Sequence, residues 1–454
     1  MTTNSKKIVL FSDVRGLDPA YGTARFMPLS LMAIGTVLLA AGFEPVIIDA
    51  QVETNWQKKL ATHLPQALFI GVSALSGPSI ILVLEAIQIV RANFCEVPIV
   101  WGGYHATQAY QNIFEEELAD FIVRGPGEEA ILDLAEALYF NRPKQVQHIP
   151  NVVSRKGDKL VIGKIKPLAE MNNLPPMNYD LIEVEKYYTE ERRWLYYISS
   201  YGCPWNCTFC AEPTQSSRVW KALSSERVVS ELIRLWKRYK PNRIFLADPN
   251  FSTDPRRVRK IVQLLIAQKT PIRVFADMRA DDILRIAKQM DLKELRKAGF
   301  DTIFVGLESG SDNILKAIKK GVTRDQLLEA IRLLDSAGIR SCTSFIHDLP
   351  GESKSDIEST FALITELCQL DKNVQSHHFY TPFPATELYR QLVSENRVSK
   401  PDKQNAWATQ STFGSSTLIL MEVQKSHRQM IISQLLHLNS SYPNNIPQAN
   451  IPSI

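Results

Sequence analysis

The chain has 454 residues, 45% of them hydrophobic and 22% charged, the proportions of a globular protein with room for two domains or three. Its 52 basic and 48 acidic residues leave a net charge of +4, and no lysine or arginine block interrupts them, so nucleic-acid binding is not expected. The N-terminus runs into a strand-like segment without signal-peptide organisation. The one long apolar stretch, 68–90, is broken by Gly71, Gly77 and Pro78 and carries Glu85, which suits a buried strand and helix rather than a membrane span.

The first 140 residues alternate strand-like runs (7–13, 44–49, 67–73, 98–102 and 120–124) with helical patterns near 27–41, 54–63, 79–93, 107–118 and 128–139. This predicts an α/β domain over 1–140, a doubly wound parallel sheet of Rossmann-like type with ligands at the carboxyl ends of its strands. Glycine clusters fall at those ends: 71–77, Gly102 with Gly103, and Gly125 with Gly127. Residues 141–192 read as a connector, with a hairpin turning at Lys156-Gly157-Asp158.

From Trp194 the alternation resumes, with strands expected at 195–200, 243–247, 273–277, 302–307, 341–347 and 375–380. Ser311 is placed to cap one helix and Gly321 to end it; Thr323 and Gln326 form a capping box for the next, which stops at Gly338. Six βα units over 193–392 predict a (β/α)6 partial barrel whose site faces the carboxyl ends of its strands. Over 393–454 the pattern fades. One helix is expected at 421–438 and a loose tail after it.

Six cysteines in a chain this long do not suggest a disulfide framework; they suit a reducing cytosol and a metal site, and a cytoplasmic location is expected. Cys203, Cys207 and Cys210 sit in YGCPWNCTFC, directly after the first strand of the barrel. Three thiolates on one loop can each bind one iron of a [4Fe–4S] cube, and the missing fourth ligand leaves one iron open for chemistry. A structural zinc site would want a fourth protein ligand, yet Cys95, Cys342 and Cys368 are isolated; three coincidental core cysteines are the other alternative.

The C-x3-C-x2-C pattern, with Phe209 before its last cysteine, resembles the radical S-adenosylmethionine superfamily, and so do VGLESG at 305–310 and HDLPGE at 347–352. The resemblance, over about 194–385, implies that S-adenosylmethionine binds the open iron and is cleaved by an electron from the cluster. It implies contacts to that cofactor from Phe209, Asp248, Arg279, Glu308 and Ser309. Asp248 would lie near the amino end of the cofactor and Arg279 near its carboxylate. Glu308 could instead serve the dipole of the helix that follows, and Asp248 and Arg279 could make plain salt bridges.

In the first domain Ser73-Ala74-Leu75 and the Gly102-Gly103 pair resemble the S-x-L and G-G elements of cobalamin-binding domains, and the segments 28–33, 101–105 and 123–129 resemble the N-terminal domains of cobalamin-dependent radical enzymes. This implies a corrinoid held by Ser73, Ala74, Leu75, Gly102, Gly103, Tyr104, Gly125, Gly127 and Glu128. The D-x-H-x-x-G element of methionine-synthase-type domains is absent: residues 13–22 contain no histidine. The lower cobalt face would then be open, bound to water, or shielded by residues around 74–77 or by Tyr21; His105 is the one tempting substitute ligand. A doubly wound module for some other ligand is the alternative.

Together these features resemble the cobalamin-dependent branch of the radical enzymes, of the kind that methylates unactivated carbon. The implied substrate is a small molecule or peptide, and the implied electron donor is a flavodoxin or ferredoxin. Tyr380, His377, His378 and Asp348, from strand ends, are candidate catalytic side chains. A cobalamin-dependent radical cyclase or rearrangement enzyme is the alternative, as are a methylthiotransferase, which would need three cysteines in the first domain, and a non-enzymatic sensor.

Overall fold

The computed structural model describes residues 5–13, 25–384, 386–398, 401, 403–408 and 425–452. Two sheets organise it. The first contains β1 (Lys7–Ser12), β2 (Glu44–Asp49), β3 (Ala67–Ser73), β4 (Ile99–Gly102), β5 (Phe121–Val123), β6 (Val152–Lys156) and β7 (Lys159–Ile162), in the order β2-β1-β3-β4-β5-β6-β7. Its first five strands pair in parallel, and β1 and β3 are nearly continuous apolar runs because helices cover both faces.

The hairpin expected in the connector forms, but it belongs to this sheet. β6 pairs antiparallel with β5, and β7 with β6, so the sheet has seven strands rather than five. The helix expected over 107–118 begins earlier, as Gly103–Glu115, directly on the glycine pair. That places its first turn at the carboxyl edge of the sheet.

The second sheet is the open partial barrel. β8 (Trp194–Tyr197), β11 (Arg243–Leu246), β12 (Val274–Asp277), β13 (Phe300–Glu308), β14 (Arg340–His347) and β15 (Asn373–Phe379) lie side by side, all parallel. Between β8 and β11, β9 (Ser200–Tyr201) and β10 (Lys221–Ala222) form a short antiparallel ribbon. β8 therefore ends before Ser200, and the chain turns off to make the cysteine loop.

The capping box at Thr323 and Gln326 is present, and a second is formed by Ser353 and Asp356. Ser311 occupies the N-cap position, but its side chain makes no cap bond. Its hydroxyl donates instead to Asp356, at 2.5 Å, because that carboxylate is brought alongside by the Lys354–Leu367 helix.

The late helix is Lys425–Ser441; residues 421–424 of the expected span lie outside the described residues. The tail expected to be loose is docked on β15. Gln375 N–H donates to Asn445 O (2.6 Å), and the Asn450 amide donates to Gln375 O (2.8 Å). An open barrel leaves an edge strand with unpaired backbone groups, and the tail satisfies them.

One hydrophobic cluster crosses between the sheets, joining Trp101 and Ile113 of the first to Tyr380, Tyr389 and Trp407. It fixes the strand ends of both sheets against each other. Among the described residues no helix is long and apolar enough to cross a membrane.

Candidate active site

The carboxyl ends of the first sheet open into a cavity of about 280 Å³. It is lined by Gly71, Ser73, Gly102, Gly103, Tyr104, Gly125, Gly127 and Glu128 on one side and by Tyr201, Gly202, Gln215 and Ser216 on the other. Glycine is required at its floor. Gly103 has φ +90°, and a Cβ there would meet Ser73 Oγ at 2.6 Å. A second cavity of about 430 Å³ lies at the mouth of the barrel, among Leu75, Ser76, Tyr104 and Gln108 of the first domain, Phe209 and Cys210 of the cysteine loop, and Ser344, Ile346, His378 and Tyr380 of the last strands. Tyr104 lines both. Its hydroxyl donates to the carboxylate of Glu212.

Seven of the nine residues expected to hold a corrinoid therefore line the first cavity, and Leu75 lines the second. Ala74 is buried behind them. Both spaces are mainly apolar, the first is floored by glycine backbone, and Tyr104 borders the two, which fits a large ring with a tail inserted between the strands. His105 is not in either lining. It is fully buried beside Trp101 and Trp407. Residues 14–22, which include Tyr21, lie outside the described residues.

The cysteine loop is strapped down on both sides: Thr208 N–H donates to Ile318 O (3.0 Å), and Leu388 N–H donates to Thr208 O (2.9 Å). Burial first, and the neighbouring thiols after it, push Cys210 up to about 12; burial pushes Cys203 up to about 11. Cys203 and Cys210 are thus neutral thiols, and iron would have to displace their protons. Two donors already face the sulfurs, Glu212 N–H to Cys210 (3.4 Å) and an Arg279 guanidinium nitrogen to Cys207 (3.6 Å). Three thiolates on one loop can each take one iron of a [4Fe–4S] cube.

Of the five residues expected around S-adenosylmethionine, Phe209 alone lines the second cavity. Asp248 is 1% exposed and accepts from Ser199 N–H, Ser199 Oγ and Ser200 Oγ at 2.5–2.7 Å. Its place is beneath the loop that leads into the cysteines, with Arg257 bonded to the same Ser199. Arg279 lies over the Trp205 ring and donates to Lys320 O (2.5 Å) while facing Cys207, so it grips the cluster loop. Ser309 is occupied with Thr360 and the Ser311 amide. Glu308, at φ +69° after a register shift in β13, pairs with Lys320 Nζ at 2.6 Å. Such strand-end irregularities re-aim side chains beside active sites.

The four catalytic candidates separate. His378 and Tyr380 line the second cavity. His377, one residue away, points to the other face of β15, where it stacks on Phe345 (5.4 Å) and His347 (5.3 Å) in the core. Strand alternation decides this, since neighbours face opposite sides. Asp348 accepts from Arg428 Nε (2.7 Å) and ties the late helix to the end of β14. Lys320, Glu212 and Arg257 were not anticipated, because each is brought in by a separate element with no local motif; Ser76 falls in the 74–77 stretch expected near the corrinoid and lines the second cavity. Asp277, which burial and then the Asp248 charge push up to about 8, was also missed.

A strand-end cavity built of glycine, facing a three-cysteine loop at the mouth of a partial barrel, defines a class. This chain carries the two domains of the cobalamin-dependent radical S-adenosylmethionine enzymes: residues 197–364 match the radical SAM superfamily and residues 23–135 the B12 binding domain. Its cofactors are a [4Fe–4S] cluster, S-adenosylmethionine and cobalamin. The chain is similar to the anaerobic magnesium-protoporphyrin IX monomethyl ester cyclase of Synechocystis sp., 28% identical over 84% of this chain and 75% of the cyclase. It is similar as well to the hopanoid C-3 methylase of Methylococcus capsulatus, 26% identical over 82% of this chain and 70% of the methylase. Its fold is shared with TsrM, a radical S-adenosylmethionine methyltransferase of Kitasatospora setae solved with cobalamin and a [4Fe–4S] cluster bound (TM-score 0.71, 17% identity, 86% of this chain and 75% of that one).

Proposed function

We propose that the protein methylates an unactivated carbon of a small-molecule or peptide substrate. The observation that carries this is the junction at Tyr104, where the glycine-floored cavity meets the space that contains Cys210, His378 and Tyr380. When bound, the cluster and S-adenosylmethionine supply hydrogen-atom abstraction, and the corrinoid supplies a methyl group.

Within that scheme Cys203, Cys207 and Cys210 hold the cluster, and Arg279 and the Thr208 backbone keep their loop in place. Ser73, Gly102, Gly103, Gly125 and Gly127 keep the first cavity open for a corrinoid. The apolar walls at Phe209, Ile346, Phe379 and Phe383 exclude water from the second. His378, which burial depresses to about 4, is neutral at physiological pH and able to orient a substrate by hydrogen bonding. Positioning and water exclusion are the protein's main contributions. Residues 1–140 with the β6–β7 hairpin form the corrinoid unit, 193–392 the radical unit, and a flavodoxin or ferredoxin is the reductant class.

The test is anaerobic reconstitution with iron, sulfide and hydroxocobalamin, then reductant, S-adenosylmethionine and mass spectrometry. 5′-Deoxyadenosine and S-adenosylhomocysteine should both form, and neither should form in a Cys203→Ala, Cys207→Ala, Cys210→Ala variant. The similarity to the magnesium-protoporphyrin ester cyclase favours a second reading, a radical cyclase without methyl transfer. 5′-Deoxyadenosine without S-adenosylhomocysteine would select it.

A further inference from the structure

His105 is completely buried, and nothing in the scheme above uses it. Its two nitrogens are nevertheless both engaged. Nε2 lies 2.6 Å from Gln404 Oε1, and Nδ1 lies 2.9 Å from Ser76 Oγ. Gln404 is also fully buried, and its backbone N–H donates to the Glu116 carboxylate at 2.8 Å. Ser76 is half-buried and lines the second cavity, next to Leu75 and Tyr104.

The chemistry of these atoms sets the direction of the bonds. Gln404 turns its amide oxygen to the ring, and an amide oxygen can only accept, so in this arrangement His105 carries its proton on Nε2. Burial pushes the imidazole down to about 4, so it is neutral and Nδ1 is an acceptor. Ser76 therefore donates its hydroxyl hydrogen to Nδ1, away from the cavity. That leaves the lone pairs of Ser76 Oγ available to the cavity that Ser76 lines.

We propose that Ser76, His105 and Gln404 form a polar relay beneath the corrinoid site, and that Ser76 Oγ is the acceptor presented to the corrinoid face turned toward the first domain. The loop after β1 offers no histidine for that face. The relay provides a hydrogen-bond acceptor there, whose orientation is fixed from the other end by the Gln404–Ala408 helix of the C-terminal region. Ser76 is the contacting residue; His105 and Gln404 are positioning residues that act through it. The inference rests on assigning the corrinoid to this pair of cavities.

The experiment uses full-length protein reconstituted with hydroxocobalamin without oxygen. The visible absorption spectrum and the cobalt(II) paramagnetic resonance spectrum after one-electron reduction are recorded for wild type, Ser76→Ala, Ser76→Thr, His105→Phe and Gln404→Leu. Ser76→Ala, His105→Phe and Gln404→Leu are expected to shift the axial-field-sensitive bands and the cobalt hyperfine splitting in one direction. Ser76→Thr, which keeps the hydroxyl, should reproduce the wild-type spectra. Wild-type spectra in Ser76→Ala, a change at a half-buried cavity wall that removes one hydroxyl, would overturn the proposal. So would His105→Phe and Gln404→Leu proteins that melt lower yet bind corrinoid with unchanged spectra, since that is the signature of a merely structural contact. If wild type itself takes up no corrinoid, the reading of the cavities fails first, and the relay with it.

Discussion

Lys320 Nζ lies 2.6 Å from Glu308 Oε1, and both side chains are about 8% exposed beneath the cysteine loop. The pair sits where β13 loses its register and where Arg279 grips the Lys320 carbonyl. Removing one partner leaves the other charge buried and alone. Lys320→Met is expected to cost about 3–5 kcal/mol. The Glu308→Gln, Lys320→Met double variant should recover most of that loss, as read by thermal melting. Equal losses in the single and double variants would show that the pair is not energetically linked.

Gly103 gives a second prediction. Gly103→Ala puts a Cβ 2.6 Å from Ser73 Oγ at a φ of +90°. Strain of about 1–3 kcal/mol is expected, together with about tenfold or greater loss of hydroxocobalamin affinity. Equilibrium binding by absorbance measures it; unchanged affinity would remove the glycine pair from the corrinoid site.

Histidines shape the acid limit of stability. Burial depresses His347 to about 3 and holds His377, its stacked partner, well below the ordinary value. With folded values below the unfolded 6.5, the unfolded chain binds more protons as pH falls. Stability is fully present above 6.5 and declines below it, by about 1.4 kcal/mol per pH unit for each such group. A His347→Phe, His377→Phe variant should melt with a shallower dependence between pH 4.5 and 6.5 than wild type. Parallel curves would refute the assignment.

Asp49 acts in the opposite sense. Its carboxylate accepts from Tyr187 Oη (2.8 Å) and Gln51 N–H (3.0 Å), yet burial pushes it up to about 7. The folded state then holds a proton that the unfolded chain releases near 3.8, so stability falls as pH rises from about 4 to 7, by at most about 4 kcal/mol. Asp49→Asn, which stays neutral, should flatten that part of the profile and melt higher than wild type at pH 7.5. A lower melting temperature at pH 7.5 would show that Asp49 is held ionised.

The alternation of apolar runs with amphipathic segments, and C-x3-C-x2-C after a strand, are local patterns. Periodicity and spacing are properties of a short window of chain, so they marked both sheets, the strand ends and the cysteine loop. The glycine pair was legible through its resemblance to the G-G element, and at Gly103 the structure supplies the reason: only glycine allows a backbone that close and that left-handed.

What lies between distant segments was decided by the tertiary structure alone. The hairpin at 152–162 joined the first sheet because β5 had a free edge, and the tail after Ser441 docked because β15 had another. Asp248, Arg279 and Ser309 stand at the expected strand ends, but partners from elsewhere in the chain direct their side chains into the scaffold. His377 and His378 differ by one residue and face opposite sides of one strand. Ser76, His105 and Gln404 meet across 328 positions of sequence. Local propensity carries no information about such meetings, because a hydrogen bond or an ion pair depends on a few tenths of an ångström that only the packed fold supplies.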